Sequence, residues 1–179
     1  IIPDGGMIAV HTNGHLFVNG HSRDAFSIQP AWEQAFARQA EPFPSGMSTP
    51  DGSLSCGEET DPDICIFTKG AHSALLRVRD TSDGTVPLPD DVCDGMDVVI
   101  STAPLRESCP KAVRIARFSA WRNGAQAVFL MSGSKKPNRQ KNIQDTVTVI
   151  TDRALRGDRP WVMKPGGHGL PNLPLAPSE

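Results

Sequence analysis

The chain has 179 residues, with 18 basic and 20 acidic side chains, and its formal net charge is −2. A chain of this length fits one domain with its own core, or one domain and a small extension. No run approaches the roughly 18 to 20 apolar residues of a membrane-spanning helix, so we expect the chain as given to be soluble. The 16 glycines and 16 prolines exclude a coiled coil or a pure helix bundle and predict many turns.

The first predicted elements are a β-hairpin and a helix. Residues 7–11 and 15–18 are β-prone, and the Asn13-Gly14 pair between them is a strong signal for a tight hairpin turn. The apolar spacing predicts a helix at 29–38, with Pro30 in its first turn, where no N–H group is needed. Residues 41–63 are predicted to be a loop, because proline and glycine recur throughout them.

Strands predominate in the rest of the chain. In order, we predict a pair of strands joined as a hairpin (64–68 and 73–79), a short helical turn or loop (90–94) and a buried strand (97–102). A further strand (111–115), a helical turn ended by Gly124 (118–124) and two last strands (125–130 and 146–150) follow. This order predicts the α+β class, as a mixed β-rich domain with few short helices. We assign residues 1–164 to a single soluble domain with a disulfide-containing core at 55–130, and residues 165–179 to a disordered tail.

Four cysteines, at sequence spacings of 9, 28 and 16 residues, fit no zinc-finger pattern. An even number in a loop-rich chain is typical of two disulfides in an oxidising compartment, and three pairings are possible. We favour Cys56–Cys65, which would close an acidic loop onto a strand, and Cys93–Cys109, which would bracket the strand at 97–102. The alternative is four free, buried thiols.

Charge is unevenly distributed along the chain. Residues 51–97 carry three basic and eleven acidic groups, whereas residues 106–141 carry nine basic groups and one acid. Such an asymmetry is typical of a surface that faces a polyanion, or of two segments that pack side by side and neutralise each other.

The basic segment contains the candidate binding residues. Arg114, Arg117 and Arg122 surround Phe118 and Trp121 in the sequence. Arginine and lysine neutralise phosphates, and exposed aromatic rings stack on bases. The sequence therefore predicts a DNA-contacting face with eight candidate residues: Arg114, Arg117, Trp121, Arg122, Lys135, Lys136, Arg139 and Lys141. The alternative is that Phe118 and Trp121 anchor the core and the basic groups solvate its flank.

The sequence carries no recognisable catalytic or metal-ligating pattern. His11 and His15 are four residues apart, but on either side of a hairpin turn rather than on one helix face. The stretch at 132–136 lacks the spacing of a phosphate-binding loop, and the stretch at 166–169 lies in the predicted tail, without the strand and helix that such a loop joins. We therefore assign no catalytic residue, no metal ligand and no cofactor.

Three stretches carry a resemblance to a known family. They are DVVISTAPLRESC at 97–109, VRIARFSAWRNGAQA at 113–127 and RGDRPWV at 156–162. They resemble the C-terminal extracytoplasmic tail of ComEC-type competence proteins, in particular their alphaproteobacterial branch. The opening hairpin, the helix around Trp32 and all four cysteines are similar as well, so the resemblance covers roughly residues 1–164.

The resemblance implies a role in DNA uptake. It implies a domain on the periplasmic face of the bacterial inner membrane, part of a polytopic parent that imports single-stranded DNA. The chain opens with Ile1 rather than methionine, and we expect it to be a fragment of that parent. The implied partners are single-stranded DNA and the membrane-embedded channel of the same parent chain.

The resemblance also bears on catalysis. Many relatives end in a metallo-β-lactamase-like domain, whose metal cluster has no match here, and Ala116 stands where the branch tends to have aspartate. We therefore interpret the chain as a non-catalytic domain, with a degenerate metallo-β-lactamase-like fragment as one option for its fold. The alternatives are a metal-dependent nuclease or hydrolase of that type, and a purely structural or partner-binding domain.

Overall fold

The computed structural model describes residues 6–19, 25–57, 64–77, 88, 90–102, 104–105, 109–131 and 146–157. In these ranges it has ten strands in three sheets, and four helices. The elements in chain order are β1 (Ala9–Thr12), β2 (His15–Val18), α1 (Ala25–Phe36), β3 (Ala40–Pro42), β4 (Leu54–Cys56), β5 (Ile64–Lys69), β6 (His72–Arg77), α2 (Asp90–Cys93), β7 (Val98–Ser101), β8 (Val113–Ile115), α3 (Arg117–Asn123), β9 (Gln126–Met131), β10 (Thr146–Thr151) and α4 (Asp152–Arg156). This β-rich architecture with short helices confirms the α+β class. Residues 132–145, between the last two predicted strands, and the predicted tail at 165–179 lie outside the described residues.

The N-terminal sheet has the order β1-β2-β3. The hairpin turn between β1 and β2 has positive φ at both Asn13 (47°) and Gly14 (82°), as the sequence predicts. The loop prediction for 41–63 is wrong at 41–42 and at 54–56, because β3 pairs in parallel with β2 and β4 pairs antiparallel with β5. Both strands are only three residues long, too short for an alternating apolar pattern to reveal them.

Helix α1 begins earlier than predicted. It starts at Ala25, so Pro30 lies inside the helix rather than in its first turn. A proline at this position removes the N–H that would bond to the carbonyl four residues earlier. The helix ends where Ala37 takes a left-handed conformation (φ 50°) and Arg38 N–H bonds to the Glu33 carbonyl, at 3.1 Å.

A five-stranded sheet with the order β4-β5-β6-β7-β8 forms the centre of the fold. Strands β4, β5 and β6 are antiparallel, whereas β6, β7 and β8 are parallel. Strand β7 is the apolar run predicted at 97–102, and it lies between β6 and β8 with Val98 and Val99 fully buried. Its continuous apolar sequence follows from burial on both faces.

The central sheet has an apolar core on each face. One core joins Leu76 and Val98 with Val10 and Phe17 of the N-terminal sheet, and the inner face of the β9–β10 ribbon packs against it through Val128, Leu130, Val147 and Val149. The other core contains Leu75, Leu88, Val99 and Cys109. Neighbouring residues of β6 and β7 thus point into different cores, as the two-residue period of a strand requires.

Asp97 joins the three parallel strands where they begin. Its carboxylate accepts hydrogen bonds from the Ser73 N–H, at 2.9 Å, and from Nδ1 of the buried His72, at 3.2 Å. Its own N–H donates to the Ser73 carbonyl, at 2.9 Å, and its carbonyl accepts from the Val113 N–H, at 2.8 Å. Asp97, the residue that directly precedes β7, is therefore hydrogen-bonded to both β6 and β8.

The two disulfides have the favoured pairing. Cys56 and Cys65 lie directly opposite each other on β4 and β5, in one core. Cys93 and Cys109 join the end of α2 to the segment before β8, at the edge of the other core. The alternative of four free thiols is wrong, since all four cysteines are bonded. Two disulfides fit an oxidising, extracytoplasmic environment.

Candidate nucleic-acid interface

The predicted DNA-contacting residues in the described part of the chain lie on two adjoining elements. Arg114 is exposed in β8, an edge strand of the central sheet, and the buried Ile115 anchors the end of that strand. Helix α3 follows after one residue and carries Arg117, Trp121 and Arg122. The structure therefore brings these four candidates to one edge of the fold. Lys135, Lys136, Arg139 and Lys141 lie outside the described residues.

Helix α3 has the reverse of the usual polarity for a surface helix. Its large apolar side chains face solvent, with Phe118 exposed to 64% and Trp121 to 55%, and Arg117 and Arg122 are exposed as well. Its partly buried side chains are small or polar: Ser119, Ala120 and Asn123. The interpretation of Phe118 and Trp121 as core anchors is therefore wrong.

The four outward side chains of α3 combine two cations and two aromatic rings on one helix surface. Residues four apart in a helix are neighbours, with Cβ atoms about 5–6 Å apart, which places Arg117 beside Trp121 and Phe118 beside Arg122. Among the described residues, no carboxylate forms an ion pair with Arg114, Arg117 or Arg122. We define this set of residues, Arg114, Arg117, Phe118, Trp121 and Arg122, as the α3 face.

Two polar contacts fix the orientation of α3. Ala116, which precedes the helix, has no capping side chain, and Ser119 Oγ accepts a hydrogen bond from its N–H instead, at 2.9 Å. Gln126 of β9 donates to the same Ser119 oxygen, at 3.2 Å. These bonds hold the polar side of α3 against the protein, so its aromatic side faces solvent.

The end of α3 is joined to the start of α4. Gly124 has φ 74° and ends α3 as predicted. A Cβ atom at Gly124 would lie 2.8 Å from Asp152 Oδ2, so only glycine allows this approach. Asp152 also donates its N–H to the Ala125 carbonyl, at 2.8 Å.

Helix α4 is part of this edge of the fold and was missed by the sequence analysis. Thr151 caps it by accepting a hydrogen bond from the Ala154 N–H, at 3.0 Å, and Gly157 follows its last residue. A capping threonine, an acidic residue in the first turn and a terminal glycine are recognised helix signals. They were present here, but the helix has only five residues and directly continues a strand.

No protein-family model, curated protein or solved structure matches the chain. In the described ranges, no group of three or more His, Cys, Asp or Glu side chains could hold a metal ion. None of the described helices has the length and apolar content needed to cross a membrane.

Proposed function

We propose that this chain is a non-catalytic extracytoplasmic domain of a ComEC-like DNA-uptake channel of the bacterial inner membrane, and that it contacts single-stranded DNA through the α3 face. The observation that carries the proposal is the exposure of Phe118 and Trp121 among three arginines without ion-pair partners in the described residues. The resemblance of 97–109, 113–127 and 156–162 to the tail of such channels supports the assignment to that family. The two disulfides are consistent with it.

The chemistry of the α3 face suits a single strand. Guanidinium groups attract phosphates, and their contribution falls with rising salt because binding releases counterions. Aromatic rings stack on unpaired bases irrespective of sequence, each stacked base contributing about 1–3 kcal/mol. A duplex keeps its bases stacked on one another, so Phe118 and Trp121 would find no base face to cover. We therefore expect preference for single strands and little preference for sequence.

Charge reversal tests the proposal. The protein is titrated into fluorescently labelled dT12, and binding is followed by anisotropy at several salt concentrations. Unmodified protein should bind with an affinity that falls as salt rises, with a logarithmic slope of about −2 for three phosphate contacts. The triple variant Arg114→Glu, Arg117→Glu, Arg122→Glu should lose binding. Undiminished binding by this variant would refute the assignment of the α3 face.

Matched single variants separate the local contact from overall charge. Arg117→Glu should weaken binding, whereas Arg38→Glu makes the same charge change at an exposed residue after α1 and should not. Trp121→Ala should weaken binding by about fivefold or more, and Trp121→Phe should retain most of it because the ring is kept. Equal losses for Arg117→Glu and Arg38→Glu would mean that net charge alone drives binding.

The proposal includes a degenerate relationship to metallo-β-lactamase-like domains, which the resemblance alone supports. The competing function, a metal-dependent nuclease or hydrolase, predicts bound metal and DNA cleavage with Mn²⁺ or Zn²⁺. A purely structural domain predicts neither binding nor cleavage. Metal analysis of the purified protein and a cleavage assay on the same oligonucleotide distinguish the three functions.

A further inference from the structure

Exposed apolar and guanidinium groups occur on α4 as well as on α3. The two helices contact each other, and α4 has no buried residue. Leu155 is 75% exposed, more than any other large apolar side chain in the described residues. Arg153 and Arg156 lie on either side of it in the sequence and are exposed as well. Two contacting helices thus present the same combination of apolar and guanidinium groups to solvent.

We propose that α3 and α4 form one continuous binding site for a single nucleic-acid strand. In this site Leu155 provides an apolar contact for a base beyond those stacked on Phe118 and Trp121, and Arg153 and Arg156 attract the adjoining phosphates. The inference rests on the proposed function of the α3 face. It adds the α4 residues and a longer strand, neither of which the α3 face alone requires.

The joint between the helices keeps the two parts of the site together. The close approach of Gly124 to Asp152 and the hydrogen bond from Asp152 N–H to the Ala125 carbonyl fix the start of α4 against the end of α3. Within α4, the Arg156 guanidinium donates from Nε to Asp152 Oδ1, at 2.7 Å. This i,i+4 ion pair orients the Arg156 side chain along the exposed helix.

The dimensions of the helices set the length of strand. With seven residues, α3 is about 10 Å long at about 1.5 Å per residue. Beyond the joint with α3, the five residues of α4 add at most about 8 Å. At about 3.4 Å per stacked nucleotide, α3 alone spans about three nucleotides, and both helices span about five. Only an oligonucleotide longer than four residues can therefore reach Leu155 while it occupies the α3 face.

An anionic lipid surface would offer related chemistry, but the arrangement of side chains favours nucleic acid. Helices that lie in a membrane interface bury an uninterrupted apolar face and keep their cations on the opposite side. On α3 the cations and rings share one surface, with Arg117 next to Trp121 and Phe118 next to Arg122. A strand that presents phosphates beside bases matches this pattern, whereas a layer of acyl chains does not.

Two oligonucleotide lengths test the inference. Anisotropy titrations with labelled dT4 and dT12 compare the unmodified full chain with Leu155→Ser. We expect the variant to lose about fivefold or more in affinity for dT12 and to bind dT4 unchanged. Leu155→Met, which keeps an apolar side chain, should restore dT12 binding. Met47→Ser is the matched control, since Met47 is also exposed (67%) but lies between β3 and β4.

Each contrary outcome has a distinct meaning. Unchanged dT12 binding by Leu155→Ser, or an equal loss for Met47→Ser, would overturn the extended site while leaving the α3 face intact. Equal losses on dT4 and dT12 would also overturn it, because the effect would not depend on strand length. Failure of the unmodified protein to bind either oligonucleotide would refute the proposed function itself. Leu155-dependent binding to phosphatidylglycerol vesicles, with unchanged dT12 binding, would assign α4 to a membrane instead.

Discussion

Asp51 links the N-terminal hairpin to the turn that precedes β4. Its carboxylate accepts hydrogen bonds from the Thr49 hydroxyl, at 2.6 Å, from the Ser53 N–H, at 3.1 Å, and from the Asn13 amide, at 2.5 Å. Lys69 of β5 donates to the same Asn13 side chain, at 3.1 Å. The bonds from Thr49 and Ser53 favour the charged carboxylate and hold the pKa of Asp51 well below its usual range.

This lowered pKa predicts a pH-dependent contribution to stability. A carboxyl group whose pKa is lower in the folded state stabilises the fold above its unfolded pKa of about 3.9, and that contribution is lost as the pH falls through the folded value. Asp51→Asn should therefore lower the melting temperature at pH 7. The difference from the unmodified protein should shrink as the pH decreases below about 4, as followed by thermal unfolding at each pH.

The control is Asp94→Asn, which removes the same charge from an exposed side chain and should leave the melting temperature at pH 7 unchanged. An equal decrease in both variants would contradict the role of Asp51. The sequence around Asp51, with Pro50 and Gly52 on either side, indicates a turn. It does not reveal the bond to Asn13, which is 38 residues away.

At the scale of elements, the joint between α3 and α4 depends on Gly124. Its positive φ is unfavourable for any side chain with a Cβ atom, and that atom would meet the side chain of Asp152. Gly124→Ala should lower the free energy of unfolding by about 1–3 kcal/mol, measured by urea denaturation. It should also weaken DNA binding, because α3 and α4 would separate.

A double variant separates the two causes of the lower stability of Gly124→Ala, namely the positive φ and the contact with Asp152. Gly124→Ala with Asp152→Ala removes the carboxylate, whose Oδ2 would lie 2.8 Å from the added atom, so it should recover that steric part of the loss. It should recover neither the part due to the remaining Cβ of residue 152, at 2.9 Å, nor the part due to φ. A non-additive result of this kind is expected only for residues in contact. Strict additivity of the two single variants would mean that Gly124 and Asp152 do not meet in solution.

Long or strongly marked elements could be predicted from the sequence, and short ones could not. The Asn13-Gly14 hairpin, the buried strand β7 and the stop at Gly124 depend on local patterns. Strands β3 and β4 depend on partners elsewhere in the chain, so their own three residues carry no sufficient signal. The early start of α1 was missed because Pro30 reads as a first-turn residue, although tertiary structure places it inside the helix.

The residues of the α3 face could be predicted from the sequence, but the addition of α4 to the site could not. The basic segment and its two aromatic residues are visible in the sequence, yet their exposure depends on Ser119 bonding to Gln126 and turning the small side of α3 inward. Leu155 had no distinguishing pattern, because a single leucine after a strand is more often buried than exposed.

For the whole molecule, each of the two apolar cores is tied to one disulfide. Replacing Cys93 and Cys109 by alanine should lower the free energy of unfolding by about 3 kcal/mol. The two cysteines are 16 residues apart, and closing a loop of that length removes about this much conformational free energy from the unfolded chain. Replacing Cys56 and Cys65, which are 9 residues apart, should cost slightly less. Urea denaturation of both double variants measures the two losses.

A thiol titration is the companion measurement. Denatured, unreduced protein should contain almost no free thiol, and reduction should release all four. Free thiols in the unreduced protein together with unchanged stability of both double variants would contradict the disulfides.

Strands β6 and β7 bury apolar side chains on both faces of the sheet, which weakens the usual control over how the two strands align. A one-residue slip usually moves an apolar set of side chains into solvent, and that cost fixes the register. For the apolar residues of these strands, a slip would exchange Leu75 with Leu76, or Val98 with Val99, between two apolar cores. The selection of one alignment therefore depends on polar contacts, among them the bonds of Asp97 to His72, Ser73 and Val113. Polar contacts, rather than the apolar pattern, distinguish the native sheet from its shifted alternatives.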